Sequence, residues 1–372
     1  MEEKDIMQQG ADVEKTRDEG CTKCKSCGGI MRYSPSTGKL KCIYCGGEQE
    51  IEPEDFEGLI GYDFEEHFGS SAQVEEEATQ AVSEVTCKGC GAHVSWNGTT
   101  SSGKCPFCGS SLVLDDQQIR QLWDPQYILP FKVEEKQGIQ LYKKWLSGRW
   151  YAPDKLRKEV SKASALQGIY VPFWGYDANT VTEYTGERGD DYRDTVERNG
   201  KQVTIIRTSW SFTSGTVYED FENVLVAATN TIPEKLVKNM EHWGWDLENC
   251  VTYKKDYITG FVTELYKDDF EASFPRAKAN MDERIKREVR RDIGGDKQVI
   301  NSMNTEYNDV KFKLIMLPVW LSSFRYNGKL YQFIVNGSTG EVRGKYPVSV
   351  MKVVLTVIAA IAVLVLLYMW LG

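Results

Sequence analysis

The stretches CKSCGGIMRYSPSTGKLKCIYCGG (24–47) and CKGCGAHVSWNGTTSSGKCPFCGS (87–110) carry one cysteine frame twice. Cys24, Cys27, Cys42 and Cys45 form C-x2-C-x14-C-x2-C, and Cys87, Cys90, Cys105 and Cys108 repeat it with the same spacing. Four thiolates at about 2.3 Å satisfy tetrahedral zinc, and each C-x2-C pair supplies two of them from one tight turn. Gly28, Gly46, Gly91 and Gly109 follow the pairs, where a residue free of side-chain penalties lets backbone amides turn toward the sulfurs. Between the pairs, IMRYSPSTGKLK and AHVSWNGTTSSGK supply strand-turn-strand material, so each frame predicts a zinc ribbon. Four cysteines leave no coordination position for water or substrate, so two structural zinc ions are expected, not catalytic ones. Each would contribute on the order of 10 kcal/mol of folding free energy, enough for fewer than about thirty residues to fold. Tyr33 and Trp96 occupy equivalent positions and are expected to shield the metals. Cys21 is read as an extra thiol and the isolated Cys250 as a small buried residue.

The 372 residues are ordinary in apolar and charged content, but charge is unevenly placed. Residues 1–116 carry 10 Lys/Arg and 22 Asp/Glu, leaving an excess of basic residues in the remainder of a chain whose net charge is -9. Both cysteine frames lie in the acidic part, so nucleic acid is not an expected partner. Glu2, Glu3, Lys4 and Asp5 follow Met1 with no apolar signal segment, which favours metal over disulfides for the cysteines.

The expected organisation is a flexible tail (1–20), a first zinc ribbon (21–47), an acidic linker (48–86), a second ribbon (87–114), an α+β domain with antiparallel sheet (115–346) and a C-terminal transmembrane helix (353–371). The linker holds 13 acidic residues and no Lys or Arg, a composition that repels itself and extends. KVEEKQGIQLYKKWL reads as a helix, and Pro153 and Asp154 suit the first turn of another. IYVPFWGYDANTVTEYTGE and QVTIIRTSWSFTSGTVYED alternate apolar and polar residues around Asn199-Gly200, predicting an antiparallel hairpin. Met281, Ile285, Val289 and Ile293 form the apolar stripe of a later helix, and KFKLIMLPVWLSSFRYNGKLYQFIVNGSTGEVRG reads as a meander. YVPFW (170–174) and MLPVW (316–320) share Pro-x-Trp, from either two related halves or chance.

From Val353 to Leu371 no charge interrupts 19 residues, and a helix of that length reaches roughly 28 Å, enough for a bilayer core. Arg343, Lys345 and Lys352 flank the span on its N-terminal side, so the soluble part is expected in the cytoplasm. His67, His93 and His242 are scattered, and no phosphate loop, nucleophile elbow or dinucleotide fingerprint occurs, so no enzyme is expected.

With the ribbon pair, the Pro-x-Trp strands, RRDIGGDKQVI and YQFIVNGSTGEV read together, the whole chain resembles the bacterial membrane-anchored double zinc-ribbon proteins. These are labelled transcription-factor-IIB-type zinc ribbon proteins or primosomal replication-factor-Y helicase-like. The helicase label does not suit a chain without a nucleotide-binding loop. The resemblance implies partners such as phage-shock protein A and stomatin/flotillin-like proteins in envelope stress. The expected function is a non-enzymatic scaffold in which two ribbons on an acidic tether reach for partners beside the cell membrane. The competing expectation is a tethered protein that stacks single-stranded nucleic acid on Tyr33, Trp96 and Phe107.

Overall fold

The computed structural model describes residues 22–371 apart from 53–55, 70–78, 89–91, 96–101, 106, 108–109, 114–117, 155, 157–165, 199–200, 230–231, 233 and 327–328. The tail, Cys21, Cys90, Cys108, Trp96, Gly91, Gly109 and the Asn199-Gly200 pair lie outside the described residues.

The first cysteine module contributes β1 (Met31–Ser34), β2 (Lys39–Cys42) and β3 (Glu48–Gln49). Then come β4 (Tyr62–Asp63), α1 (Phe64–His67), β5 (Thr79–Thr86), β6 (His93–Ser95), β7 (Ser102–Lys104), β8 (Ser111–Val113) and β9 (Gln118–Trp123). The main body follows with β10 (Tyr127–Ile128), α2 (Glu135–Ser147), β11 (Gln167–Arg198), β12 (Lys201–Ala227), α3 (Glu234–Glu241), β13 (Val251–Thr252) and α4 (Lys255–Ile258). It is completed by β14 (Val262–Glu264), α5 (Phe270–Ile293), β15 (Lys297–Tyr326), β16 (Lys329–Asn336) and β17 (Val342–Gly344), before the terminal helix α6 (Val350–Leu371).

The two Pro-x-Trp segments pair with each other. Val171 faces Leu317, Tyr170 faces Pro318 and Pro172 faces Met316, so equivalent residues meet across a local two-fold axis of the antiparallel β11–β15 pair. The equivalence extends outward. The parallel pair Ile169–Val262, from β11 and β14, matches Ile315–Tyr127, from β15 and β10. Trp174 Nε1 donates to Asp268 O and Trp320 Nε1 to Val133 O, each at 2.9 Å. Each acceptor sits just before an acidic helix N-cap, Asp269 for α5 and Glu134 for α2. Return strands match too: Ala228 N donates to Pro172 O and Gly337 N to Pro318 O, both at 2.9 Å. These paired equivalences give the body two halves of like topology, each a short strand, a helix, a long strand and a return strand.

Sidedness follows from strand alternation. Even-numbered residues Tyr170, Trp174, Met316 and Trp320 face the layer holding α2, α5 and the first cysteine module. Odd-numbered residues Ile169, Val171, Phe173, Leu317 and Val319 face the second cysteine module and α3. A central sheet is thereby buried on both faces, which explains why YVPFW and LIMLPVW read as continuous apolar runs.

Beyond this core β11, β12 and β15 continue as a three-stranded blade, and β11 at about 3.3 Å per residue reaches roughly 100 Å. Bulges beside Asp177 shift the register on both flanking strands. Asn223 (φ 53°) and Asp309 (φ 50°) take up the left-handed conformations there. Helix α5 lies along the blade with Met281, Ile285, Val289 and Ile293 buried, as the stripe predicts. Gly294 (φ 68°) ends it, so RDIGGD is a helix cap. Past Gly189–Lys297 the strand β15 is absent, and β11 and β12 pair alone to Arg198–Lys201. Ile285→Ala is expected to lower stability by about 3 kcal/mol through the cavity left between α5 and the blade; the midpoint of chemical unfolding reads this.

Within the acidic stretch 48–86, expected as a linker, the described residues form strands and a short helix. β3 completes the first module's sheet by pairing with β2, β4 pairs with β15, and Asp63 caps α1, whose Phe64 is buried. β5 pairs over six positions with β9 and also with β6. The negative charges mask a set of well-spaced anchors, Phe56, Leu59, Tyr62, Phe64 and Val85, and packing of those anchors outweighs repulsion between exposed carboxylates. The described parts of 48–86 thus pair with strands of the first module, the second module and the body. α6 is long and apolar enough to cross a membrane, and none of its apolar window is buried in the protein.

Candidate metal centre

In the first module the knuckle turns set the site. Cys24 N donates to Gly29 O and Cys42 N to Gly47 O, both at 2.8 Å. Gly28 (φ 68°) and Gly46 (φ 73°) close the turns in conformations that a side chain would strain. The hairpin β1–β2, registered Met31–Cys42, carries the two pairs together. All four sulfurs lie within 4.8 Å of one another, with Cys24–Cys45 at 3.6 Å and Cys27–Cys42 at 3.5 Å. Tetrahedral zinc with bonds of about 2.3 Å requires sulfurs about 3.8 Å apart, so the cage has the size the metal demands.

The electrostatics point the same way. Amides of Ser26 and Cys27 draw the Cys24 thiol down to about 6, and amides of Cys45 and Tyr44 lower Cys42. The Gly29 amide also favours a Cys27 thiolate, yet neighbouring Cys45 and Cys42 push that thiol up to about 12. The neighbouring sulfurs thus oppose one another's ionisation at Cys27 while favouring it at Cys24. A divalent ion removes the conflict.

In the second module Cys87 and Cys105 are buried, while their expected companions Cys90 and Cys108 lie outside the described residues. The knuckle signature is still legible. Cys87 N donates to Ala92 O at 2.8 Å and Cys105 N to Ser110 O at 2.7 Å, the same i to i+5 bonds as in the first module.

Both modules are seated on the body. Tyr33 N donates to Thr259 O at 3.0 Å and Tyr33 Oη to Phe131 O at 3.3 Å. Its ring packs on Tyr257 and Phe261, and burial pushes its phenol up to about 12. Thr22 Oγ1 bonds the Asp256 carboxylate, and the Arg32 stem covers Gly260. In the second module β6 joins β14, and Gln332 Nε2 donates to Phe107 O at 2.9 Å. Tyr33 and Phe107 are both buried, so two of the three aromatics expected to stack nucleotide bases face the core, and the third, Trp96, lies outside the described residues.

Aligning the two frames reveals residues that spacing alone did not single out. Tyr44, in the pair Cys42–Cys45, occupies the place of Phe107 in Cys105–Cys108. Phe107 is 0% exposed and Tyr44 72% exposed, with Ile43 beside it at 48%. The Tyr44 ring leans over Gly29, where a Cβ would come within 2.5 Å. A comparison of the two knuckles could have found the pair; the cysteine spacing could not have shown that one is covered and the other is not.

Cys250 is buried, with its thiol pushed up to about 12 by desolvation, matching its reading as a packing residue. His67 Nδ1 lies 2.9 Å from Asp63 O, His93 pairs with Glu84, and His242 is exposed. These three lie apart, with no shared site among the described residues.

No family model matches the chain, and no solved structure does. An uncharacterized protein of Bacillus subtilis, YdjG, is 26% identical over 332 residues, covering 89% of this chain and 91% of that protein. The similarity spans most of both chains and assigns no activity.

Proposed function

We propose that the protein is a non-enzymatic scaffold, held in the cell membrane by α6 with its body in the cytoplasm, and that its two cysteine modules are zinc ribbons holding one structural ion each. The observation that carries this reading is the contrast between the two knuckles. The second module uses Phe107 to lock itself to the body, whereas the first leaves Ile43 and Tyr44 facing water. A fixed apolar tip on a metal-stiffened turn suits a protein partner, since little is lost in ordering it on contact. Lys25 is exposed in the facing knuckle, which favours a partner with acidic groups beside an apolar pocket; Lys41 is exposed too and lies 3.6 Å from Glu48. Phage-shock protein A and stomatin/flotillin-like proteins are the partners that the resemblance proposes, in envelope stress.

The ribbons act here as rigid ledges and do not reach out on a tether. Crosslinking in intact membranes, followed by purification of the full chain, tests the reading. Tyr44→Asp is expected to lower recovery of the partner at least tenfold, because a carboxylate would enter an apolar contact, with the zinc content unchanged. Equal recovery from both forms would remove the first ribbon as the contact.

A further inference from the structure

The corner where the body meets the terminal helix carries groups that the scaffold reading has not used. After α2 the chain turns through Arg149, Trp150 and Tyr151, and this turn is clipped to the start of α6. Ser349 N donates to Tyr151 O at 2.8 Å. Lys352 Nζ donates to Ala152 O at 3.0 Å and to Asp154 Oδ1 at 2.7 Å, and lies 5.4 Å from the centre of the Trp150 ring. Uninterrupted apolar sequence begins at the next residue, Val353. Trp150 is therefore held at the height where the apolar span starts.

We propose that this corner is a second lipid contact, a seat for an anionic bilayer surface built from Trp150, Tyr151 and Val348 with Lys144, Arg149 and Lys345. It rests on the reading of α6 as membrane-spanning. Trp150 is 66% exposed and Val348 55%, a costly arrangement in water and an ordinary one among headgroups, where amphipathic rings collect. Arg149 stacks over Trp145, 4.7 Å from its centre, and Trp145 meets the Tyr346 ring edge-on, so the guanidinium is held at the corner. Lys144 and Lys345 are exposed and form no ion pair among the described residues. Of the described carboxylates, Asp154 is engaged by Lys352 and Glu341 by Arg343. Lys144, Arg149 and Lys345 thus bring three cations to the corner, the sign that anionic headgroups attract.

Position decides between lipid and protein as the occupant. The clip to residues 349–352 places the patch within one helical turn of the apolar span, so its surroundings are headgroups whenever α6 is in a bilayer. Lys352 would ordinarily extend toward the headgroups; here its ammonium turns back onto the body, so the anchor joins the body through a braced corner and the bilayer sets the body's orientation.

The test uses the full chain reconstituted in vesicles of phosphatidylcholine and phosphatidylglycerol whose acyl chains carry bromine at a shallow position. Flotation is measured first, then tryptophan quenching in wild type, Trp150→Phe and Trp370→Phe. The expected result is that Trp150→Phe removes a quenched component distinct from the one Trp370→Phe removes. Arg149→Glu with Lys345→Glu should weaken the Trp150 component in anionic vesicles and leave the Trp370 component unchanged. A floating protein whose Trp150 is untouched by bromine and fully open to aqueous iodide overturns the seat while keeping the anchor. Failure to float overturns the membrane reading of α6 and the seat with it.

Discussion

Replacing Cys24 and Cys27 by serine is expected to unseat the entire first module while leaving the body folded. With zinc as the metal, the binding energy lost is on the order of 10 kcal/mol, far more than the few apolar side chains of the module can supply. Besides Cys24 and Cys42, its buried residues are Met31, Tyr33 and Leu40, and each is shared with the body's cluster around Phe131, Tyr170 and Trp320. Without the metal the hairpin cannot hold its registration, and Tyr33 leaves the Thr259 and Phe131 carbonyls. Three readouts follow: metal content falling by one ion per chain, new proteolytic cleavage within 22–50, and far-ultraviolet circular dichroism nearly unchanged. The last is expected because the module's strands form a sheet of their own and add no strand to the β11–β15 ladder. Protease resistance equal to wild type would show that docking, not metal, holds the hairpin.

Lys313→Ala should be the most damaging single substitution in the blade, at about 3–5 kcal/mol. Lys313 is 1% exposed, and its ammonium donates to Asp177 Oδ2 at 2.6 Å and to Leu59 O at 2.9 Å. Asp177 Oδ1 in turn accepts from Asn223 N at 2.7 Å, at the bulge of β12. One buried cation therefore ties three features together: the bulge, the partner strand and the segment entering β4. Alanine would leave the carboxylate and a carbonyl without their donor. Lys313→Met with Asp177→Asn should recover most of the loss, because the pair is then replaced and not halved. Unfolding midpoints of the single and double variants measure the difference, and equal losses would show that the ion pair does not account for the cost.

Much of the fold was legible. The cysteine spacing announced a four-sulfur cage at 24, 27, 42 and 45, because ligand geometry constrains sequence locally. The stripe at 281, 285, 289 and 293 announced the buried face of α5, because helical period and burial coincide there. Alternation on either side of Asn199-Gly200 announced the β11–β12 hairpin. The acidic stretch was misread because composition reports average repulsion, whereas Phe56, Tyr62 and Phe64 act singly, each finding a pocket supplied by distant strands. Lys313 gave no signal of its burial, since its partners lie 136 and 254 positions away.

Local chemistry, written within a few residues, was thus determined by the sequence alone: the knuckles, the helix stripe, the hairpin and the apolar terminal helix. Tertiary structure alone decided that YVPFW and MLPVW cross at a two-fold axis, that Phe107 is covered while its counterpart Tyr44 is not, and that Trp150 is clipped to the base of α6. The physical reason is common to all three. Each depends on which surfaces meet after the chain has closed over long separations, and a side chain's type sets what it can contact without setting what arrives beside it.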